Sequence, residues 1–224
     1  MISIIIPVFN EESCIGERLD LLSAQQGEYE LIVVDGGSGD RTIEIASACL
    51  KARVVTASKG RGSQMNAGAR LACGEWLFFL HADTCIEPHA IETLARLGKD
   101  PSLQAGCFRH RFDSRHPWLW IVSAIHNLRF LFTRIIYGDQ CLFVRRELFF
   151  RLGGFKEIVM EDIEFSERLL RAARPVQLPL KAVTSARKFY ALGVFRATFR
   201  VLALMHGYGR RKGLERDLFF SDIR

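Results

Sequence analysis

The sequence predicts one α/β domain built on a mostly parallel sheet with helices on both faces. Three observations carry this. Short apolar runs rich in β-branched residues recur through the first hundred residues. Segments with apolar residues at helical spacing lie between them. Each run ends in a polar turn, and three of the four turns carry carboxylates. Apolar strands alternating with helices indicate parallel strands buried on both faces.

Taken in order, Ile2–Ile6 is a β-branched strand ended by Pro7. The segment 12–25 carries Ile15, Leu19 and Leu22 at helical spacing. A second buried strand, 30–34, stops at Asp35-Gly-Gly-Ser-Gly-Asp40, and Asp40 or Thr42 can open a helix over 43–50. A third strand over 53–56 leads through a glycine-bearing loop to a helix over 63–72. The apolar run 75–80 is the fourth strand. After about residue 100 the pattern changes. An antiparallel or edge strand is expected over 103–112, a long apolar helix over 118–136, a strand over 140–144 and a helix over 160–173. We read this second half as an elaboration of the same sheet, so that residues 1–100 and 101–190 are two halves of one domain.

The 224 residues are 49% hydrophobic and 25% charged, enough apolar surface for a full core. The net charge of +6 is uneven: residues 181–224 hold ten basic side chains against three acidic ones, +7, which leaves the first 180 residues at −1. A basic balance raises nucleic-acid binding, but no named nucleic-acid motif is present and the acidic strand ends would repel a phosphate backbone. The six cysteines are scattered without a C-x-x-C pair, which argues against a disulfide framework or a zinc ribbon and for a cytoplasmic protein. The start lacks the pattern of a secretory leader, and no apolar stretch is long enough to span a membrane.

In parallel sheets ligands bind outside the carboxyl ends of the strands. Those ends read Pro7-Val-Phe-Asn-Glu-Glu12, Asp35-Gly-Gly-Ser-Gly-Asp40, Ser58-Lys-Gly-Arg-Gly62 and His81-Ala-Asp-Thr84. A dinucleotide-binding oxidoreductase would place glycines in the first turn; here that turn has none, and Glu11 and Glu12 would repel a pyrophosphate. A P-loop is absent. The nucleophilic Asp of a dehalogenase-type phosphatase would stand where His81 does.

The four strand ends, together with Tyr137-Gly-Asp-Gln140 and Met160-Glu-Asp-Ile-Glu-Phe165, resemble family 2 glycosyltransferases of the GT-A fold, a Rossmann-like architecture. The likeness covers roughly residues 1–190. His81-Ala-Asp83 and the 137–140 segment look closest to a bacterial branch that includes arsenosugar-type enzymes. The resemblance implies transfer of a sugar from a nucleotide diphosphate sugar, a UDP-sugar by default, to a hydroxyl acceptor with inversion. It implies that Pro7, Phe9, Glu11 and Asp35 line the nucleotide pocket, with Phe9 against the base. It assigns Arg61 and its neighbour Lys59 to the base or diphosphate. Asp83 matches the acid that carries a divalent ion, Mg²⁺ or Mn²⁺, on the diphosphate oxygens. His81 replaces the family's first acid, which leaves a sugar contact or simple packing open to it. Asp162 becomes the general base beside Glu161, and Asp139 and Gln140 are candidates for holding sugar or acceptor hydroxyls.

Simpler readings stand beside these. Asp35 also suits a turn with Gly36-Gly37-Ser38. Acids at 161, 162 and 164 also suit the first turn of a helix. Asp139 and Gln140 also suit a strand-entry turn. A basic amphipathic helix is expected over 192–205, within an extension of residues 191–224, for packing, a homodimer contact or an anionic membrane surface. Two other functions remain: a non-catalytic nucleotide-sugar-binding protein on this fold, and a transferase working at the inner membrane surface on a lipid-linked acceptor.

Overall fold

The first strand, β1 (Ile2–Val8), is apolar on both faces. Ile2, Ile4 and Ile6 enter one core layer and Ile5 the opposite one, all at 1% exposure or less. A strand with no polar face must sit in the middle of a covered sheet, and β1 does. We describe a computed structural model covering residues 1–210, with side chains to residue 203.

The chain continues through α1 (Ile15–Ser23), β2 (Tyr29–Asp35), α2 (Thr42–Ser47), β3 (Ala52–Thr56), α3 (Arg61–Leu71) and β4 (Trp76–Phe79). Next come β5 (Thr84–Ile86), α4 (Ala90–Leu97), β6 (Ala105–Phe112), α5 (Pro117–Thr133), a 3₁₀ turn (Gly138–Gln140), β7 (Phe143–Arg145) and α6 (Arg146–Arg151). The described chain ends with α7 (Glu161–Leu169), β8 (Val176–Thr184), α8 (Arg187–Leu192) and α9 (Val194–Arg210).

All eight strands join one sheet in the order β3-β2-β1-β4-β7-β6-β8-β5. The chain winds outward from β1 to β3, then returns through α3 to lay β4 on the other side of β1. This reversal opens a crevice between the carboxyl ends of β1 and β4, where such sheets bind ligands. Strands β1 to β4 are mutually parallel where they pair; β7 runs antiparallel to both β4 and β6, and β5 antiparallel to β8. One core holds α1 and α4 against one sheet face, and the other holds α3, α6 and α7 against the opposite face.

The first-half strands stand within two residues of expectation. The second half needs correction. Strand β6 is interior, antiparallel to β7 but parallel to β8, not an edge. The strand expected over 140–144 begins only at Phe143, because residues 138–140 coil into the 3₁₀ turn with Tyr137 as its cap. Helix α5 stops at Thr133, where Arg134 adopts a left-handed conformation. Five elements lack an expectation: β5, α4, α6, β8 and α8. The helix expected over 192–205 is α9, which starts two residues later; Gly193, at φ +81°, separates it from α8, so residue 191, the expected start of the extension, lies inside α8. The basic and apolar segments 211–212 and 218–220 lie outside the described residues.

Helix α3 crosses close over the centre of the sheet because Gly68 lacks a side chain. A Cβ there would lie 2.5 Å from Ile5 Cγ2 and 3.0 Å from Val34 Cγ2, both on buried strands that cannot yield. Gly68→Ala should therefore destabilise the fold by about 1–3 kcal/mol despite its helix-favouring chemistry. Urea unfolding with unchanged slope and a lowered midpoint would show this; an unchanged or raised midpoint would refute the tight crossing.

Candidate active site

The crevice at the β1/β4 reversal is lined by Pro7, Phe9, Glu11, Arg61, Gln64, His81, Asp83 and Lys188, around a cavity of about 80 Å³. Four elements converge on it. The β1 and β4 ends supply Phe9, Glu11, His81 and Asp83, the start of α3 supplies Arg61, and α8 supplies Lys188. Gln64 of α3 ties the floor together: its Nε2 donates to the carbonyls of Val8 and Val34, each at 2.8 Å.

Not every nucleotide-pocket residue reaches this lining. Asp35 is 1% exposed, and its carboxylate accepts from the Gly37 amide at 2.7 Å, the Ser38 amide at 3.0 Å and the Ser38 hydroxyl at 2.5 Å. These are bonds of the turn-forming kind. Lys59 lies at the rim, with Nζ 3.8 Å from the centre of the Phe9 ring, a cation–π contact over the face that a base would need.

Two basic residues of the segment 181–224 reach this chemistry. Arg187 pairs with Glu11, and Lys188 reaches both Glu11 Oε1 at 3.6 Å and Asp83 Oδ2 at 3.3 Å. The physical reason is topological. Strand β8 pairs with β5, the Ser185 amide donates to the Asp83 carbonyl, and α8 therefore starts directly over the acids. Burial would raise the Asp83 pKa, but Lys188 and His81 more than offset it, and the carboxyl is held below its usual range. The signal is present in the sequence as Arg187-Lys188, but nothing there says which strand precedes it.

Behind the crevice lies a second cluster. Met160 takes a left-handed conformation at φ +62° and starts α7, which points Glu161 and Asp162 inward from its first turn. Glu161 is 3% exposed and pairs with Arg61 Nε, while Arg61 Nη2 stands 4.0 Å from Asp162 Oδ2. Asp162 accepts from the Gly138 amide at 2.6 Å and from the Ile163 amide at 2.9 Å. Burial pushes the Asp162 carboxyl up to about 6, with the Glu161 charge adding to it and Arg61 opposing. Burial would lower the Arg61 pKa, yet Glu161 and Asp162 hold it above its ordinary value.

His81 joins the two clusters. It lines the crevice on one side and, with Gly138, Glu161 and Asp162, a small void on the other. A Cβ on residue 138 would lie 2.6 Å from His81 Cε1, so only glycine lets the turn approach. Burial, helped by the Arg61 charge, lowers His81 to about 4, so it is neutral near pH 7.

The 3₁₀ turn carries Asp139 and Gln140 away from Asp162. Asp139 lies between His126 Nε2 at 3.3 Å and His110 Nε2 at 3.6 Å, two histidines that no sequence spacing links. Burial would raise the Asp139 pKa, but these imidazoles hold it well below the carboxylate range. Gln140 is fully buried and structural: its Oε1 accepts from the Tyr137 amide at 3.2 Å and from Arg129 at 3.3 Å.

Among the described residues, no three His, Cys, Asp or Glu side chains converge as a metal-binding group. Asp83 and Glu11 offer carboxylates at the crevice, with Glu11 paired to Arg187 and neutral His81 beside Asp83. That donor set does not make a resident metal centre. It does fit a divalent ion that brings most of its ligands as waters and diphosphate oxygens.

The profile of Glycosyl transferase family 2 matches residues 3–154, and the chain belongs to that family. A PGL/p-HBAD biosynthesis glycosyltransferase of Mycobacterium bovis is 35% identical over 75% of this chain and 69% of its own length. An uncharacterized glycosyltransferase of Haemophilus influenzae is 26% identical over 76% of this chain, which spans only 62% of that relative. Among solved structures, the mannosyltransferase PcManGT of Pyrobaculum calidifontis, in complex with GDP-Man and Mn²⁺, superposes with a TM-score of 0.64 at 25% identity. It matches 81% of this chain and 56% of its own. S. aureus TarS in complex with UDP-GlcNAc gives 0.67 at 20% identity, matching 82% of this chain and 58% of its own, a likeness of fold.

The Arg61–Glu161 pair is buried and joins α3 to α7. Removing one partner of such a pair typically costs about 3–5 kcal/mol because a buried charge is left alone. Arg61→Met should lower stability by about that amount, and Arg61→Met with Glu161→Leu should recover most of it. Additive losses in a denaturation cycle would show that the two charges are not coupled.

Proposed function

We propose that this chain transfers a sugar from a nucleoside diphosphate sugar to a hydroxyl acceptor, with inversion at the anomeric carbon. The observation that carries this is Asp162. It is an inward-facing carboxylate, oriented by two amides and tuned to about 6, beside the crevice that holds Asp83. A general base works best with a pKa near the working pH. The acceptor O–H gives its proton to Asp162 as its oxygen bonds to the anomeric carbon. The bond to the diphosphate oxygen breaks on the opposite face, and the electron pair leaves with the diphosphate.

The donor half is residues 1–100. Pro7, Phe9, Glu11 and Asp35 would form the nucleoside pocket, with Lys59 leaving the Phe9 ring and Ser38 sharing its bond to Asp35. Lys59, over the Phe9 ring, and Lys188, paired with Glu11 and Asp83, would give up these contacts as the donor enters. Arg61, Arg187 and Lys188 then face the diphosphate. Asp83 would hold Mg²⁺ or Mn²⁺ with the phosphate oxygens, and His81 would stand at the sugar as a neutral hydrogen-bonding group. When bound, the ion neutralises charge growing on the leaving diphosphate. A UDP-sugar is the default donor by family likeness; the neighbours were solved with UDP- and GDP-sugars alike. The acceptor half is residues 101–190, where Asp139 and its histidines face hydroxyls. The finer likeness to arsenosugar-type enzymes rests on residues 81–83 and 137–140 and names no acceptor. The scattered cysteines, with no C-x-x-C pair, support a cytoplasmic setting.

Three outcomes test this. Asp162→Asn should keep donor binding and lose transfer by at least about 10²-fold. In the parent, kcat should rise with pH through about 6 as Asp162 ionises, and level above it. Asp83→Ala should abolish the Mn²⁺-dependent thermal shift produced by nucleoside diphosphates. Donor binding without transfer in the parent, across acceptors, would favour the non-catalytic binding protein instead.

A further inference from the structure

Helix α5 has no acidic residue from end to end, and neither does α9. Both are pinned to the domain by their inner faces. Leu119, Ser123 and Phe130 are buried, Asn127 exchanges hydrogen bonds with the His110 backbone, and Val194, Ala197 and Thr198 are buried under α9. What remains outside is apolar. Trp120, Ile121, Ile125, Leu128, Leu131 and Phe132 share one face of α5, with Ile125 60% and Phe132 81% exposed. On α9 the exposed stripe is Phe195, Phe199 and Leu202, with Phe199 74% exposed. The two stripes adjoin, because the Phe195 and Trp118 rings meet at 5.4 Å. An exposed apolar patch of this kind on an otherwise well-packed domain marks an interaction surface.

Charge decides the occupant. Arg115 precedes α5, and Arg196 and Arg200 border the α9 stripe. From residue 194 to 214 the sequence has five basic residues and no acid. A second copy of this chain would set basic rims against each other around the apolar centre. An anionic lipid surface matches both parts, with apolar side chains entering the acyl boundary and cations meeting headgroups. No described helix is long and apolar enough to cross a membrane, so the helices would lie along the surface. Helix α5, about 25 Å long at 1.5 Å per residue, offers its outer face lengthwise.

We infer that the joined outer face of α5 and α9 docks this protein onto an anionic lipid bilayer. The inner edge of α5 reaches the 137–140 turn. Arg129 stacks 3.7 Å over the Tyr137 ring, and His126 meets Asp139. On the transferase reading, which the docking itself does not require, the acceptor is then presented at the lipid surface.

The test is co-sedimentation of the full chain with vesicles of phosphatidylcholine alone or mixed equally with phosphatidylglycerol. Binding should be strong to the mixed vesicles, weak to phosphatidylcholine and reduced by salt. Ile125→Glu with Leu128→Glu should lower it at least about tenfold, and Arg196→Gln about fivefold. The nucleotide thermal shift should be unchanged in these variants, which separates a failed dock from a failed donor site. No binding, or equal binding to both vesicles, overturns the inference. So does a concentration-dependent dimer in lipid-free solution that the double variant dissolves. So does binding lost by Arg211→Gln with Lys212→Gln but kept by the double variant, which would place it in the tail.

Discussion

The buried pair between Arg61 and Glu161 is the constraint around which the site is arranged. Arg61 is the first residue of α3, the helix that carries the chain back across the sheet, and Glu161 opens α7 in the second half of the chain. Their contact fixes the two halves at the crevice. It also adjusts the charge of its neighbours. Burial is the largest cause of the shifts at Asp162 and His81; Arg61 opposes the rise at Asp162 and Glu161 adds to it, and Arg61 further disfavours a proton on His81. Glu161 is ionised, Asp162 titrates near 6 and His81 is neutral.

Close backbone approach does the rest. Gly62, Gly68 and Gly138 each stand where a side chain would collide, with the Lys156 carbonyl, with Ile5 and with His81 respectively. Asn66 closes the same seam by exchanging hydrogen bonds with both backbone groups of Phe155. So α3 is clamped between the sheet below and the 154–156 segment above, and Arg61 projects from a rigid base. A base residue tuned by charge is useful only if those charges cannot drift, since Coulomb energies in a poorly hydrated site change steeply with distance.

Much of this is legible in the sequence because parallel strands declare themselves. Runs such as Ile2–Ile6 are apolar on both faces, and each must end in a turn where polar residues become conspicuous. Hence Phe9, Glu11, Arg61, His81 and Asp83 stand out from the residue pattern alone, and the fold gathers the same residues around one crevice. The second half is harder to read for a physical reason. Strand β8 is partly exposed along its length and contains a proline, and β5 is three residues long, so neither shows a period. Without β8 nothing in the sequence places Arg187 and Lys188 over Glu11 and Asp83. His110 and His126 are hidden likewise, since only the packing of α5 on β6 brings them together around Asp139.

The substitution of His81 for an acid becomes intelligible in this light. A carboxylate there would join Glu11, Asp83, Glu161 and Asp162 within one poorly hydrated site, against Arg61, Arg187 and Lys188. Like charges so placed cannot all remain ionised, and one of them would take up a proton. Asp162, which burial already pushes up to about 6, would be pushed further by one more negative charge. A neutral imidazole avoids this. It keeps a polar group at the crevice while leaving Asp162 poised near 6 and Asp83 paired with Lys188 at 3.3 Å. On this argument, histidine at position 81 preserves the ionisation of Asp162.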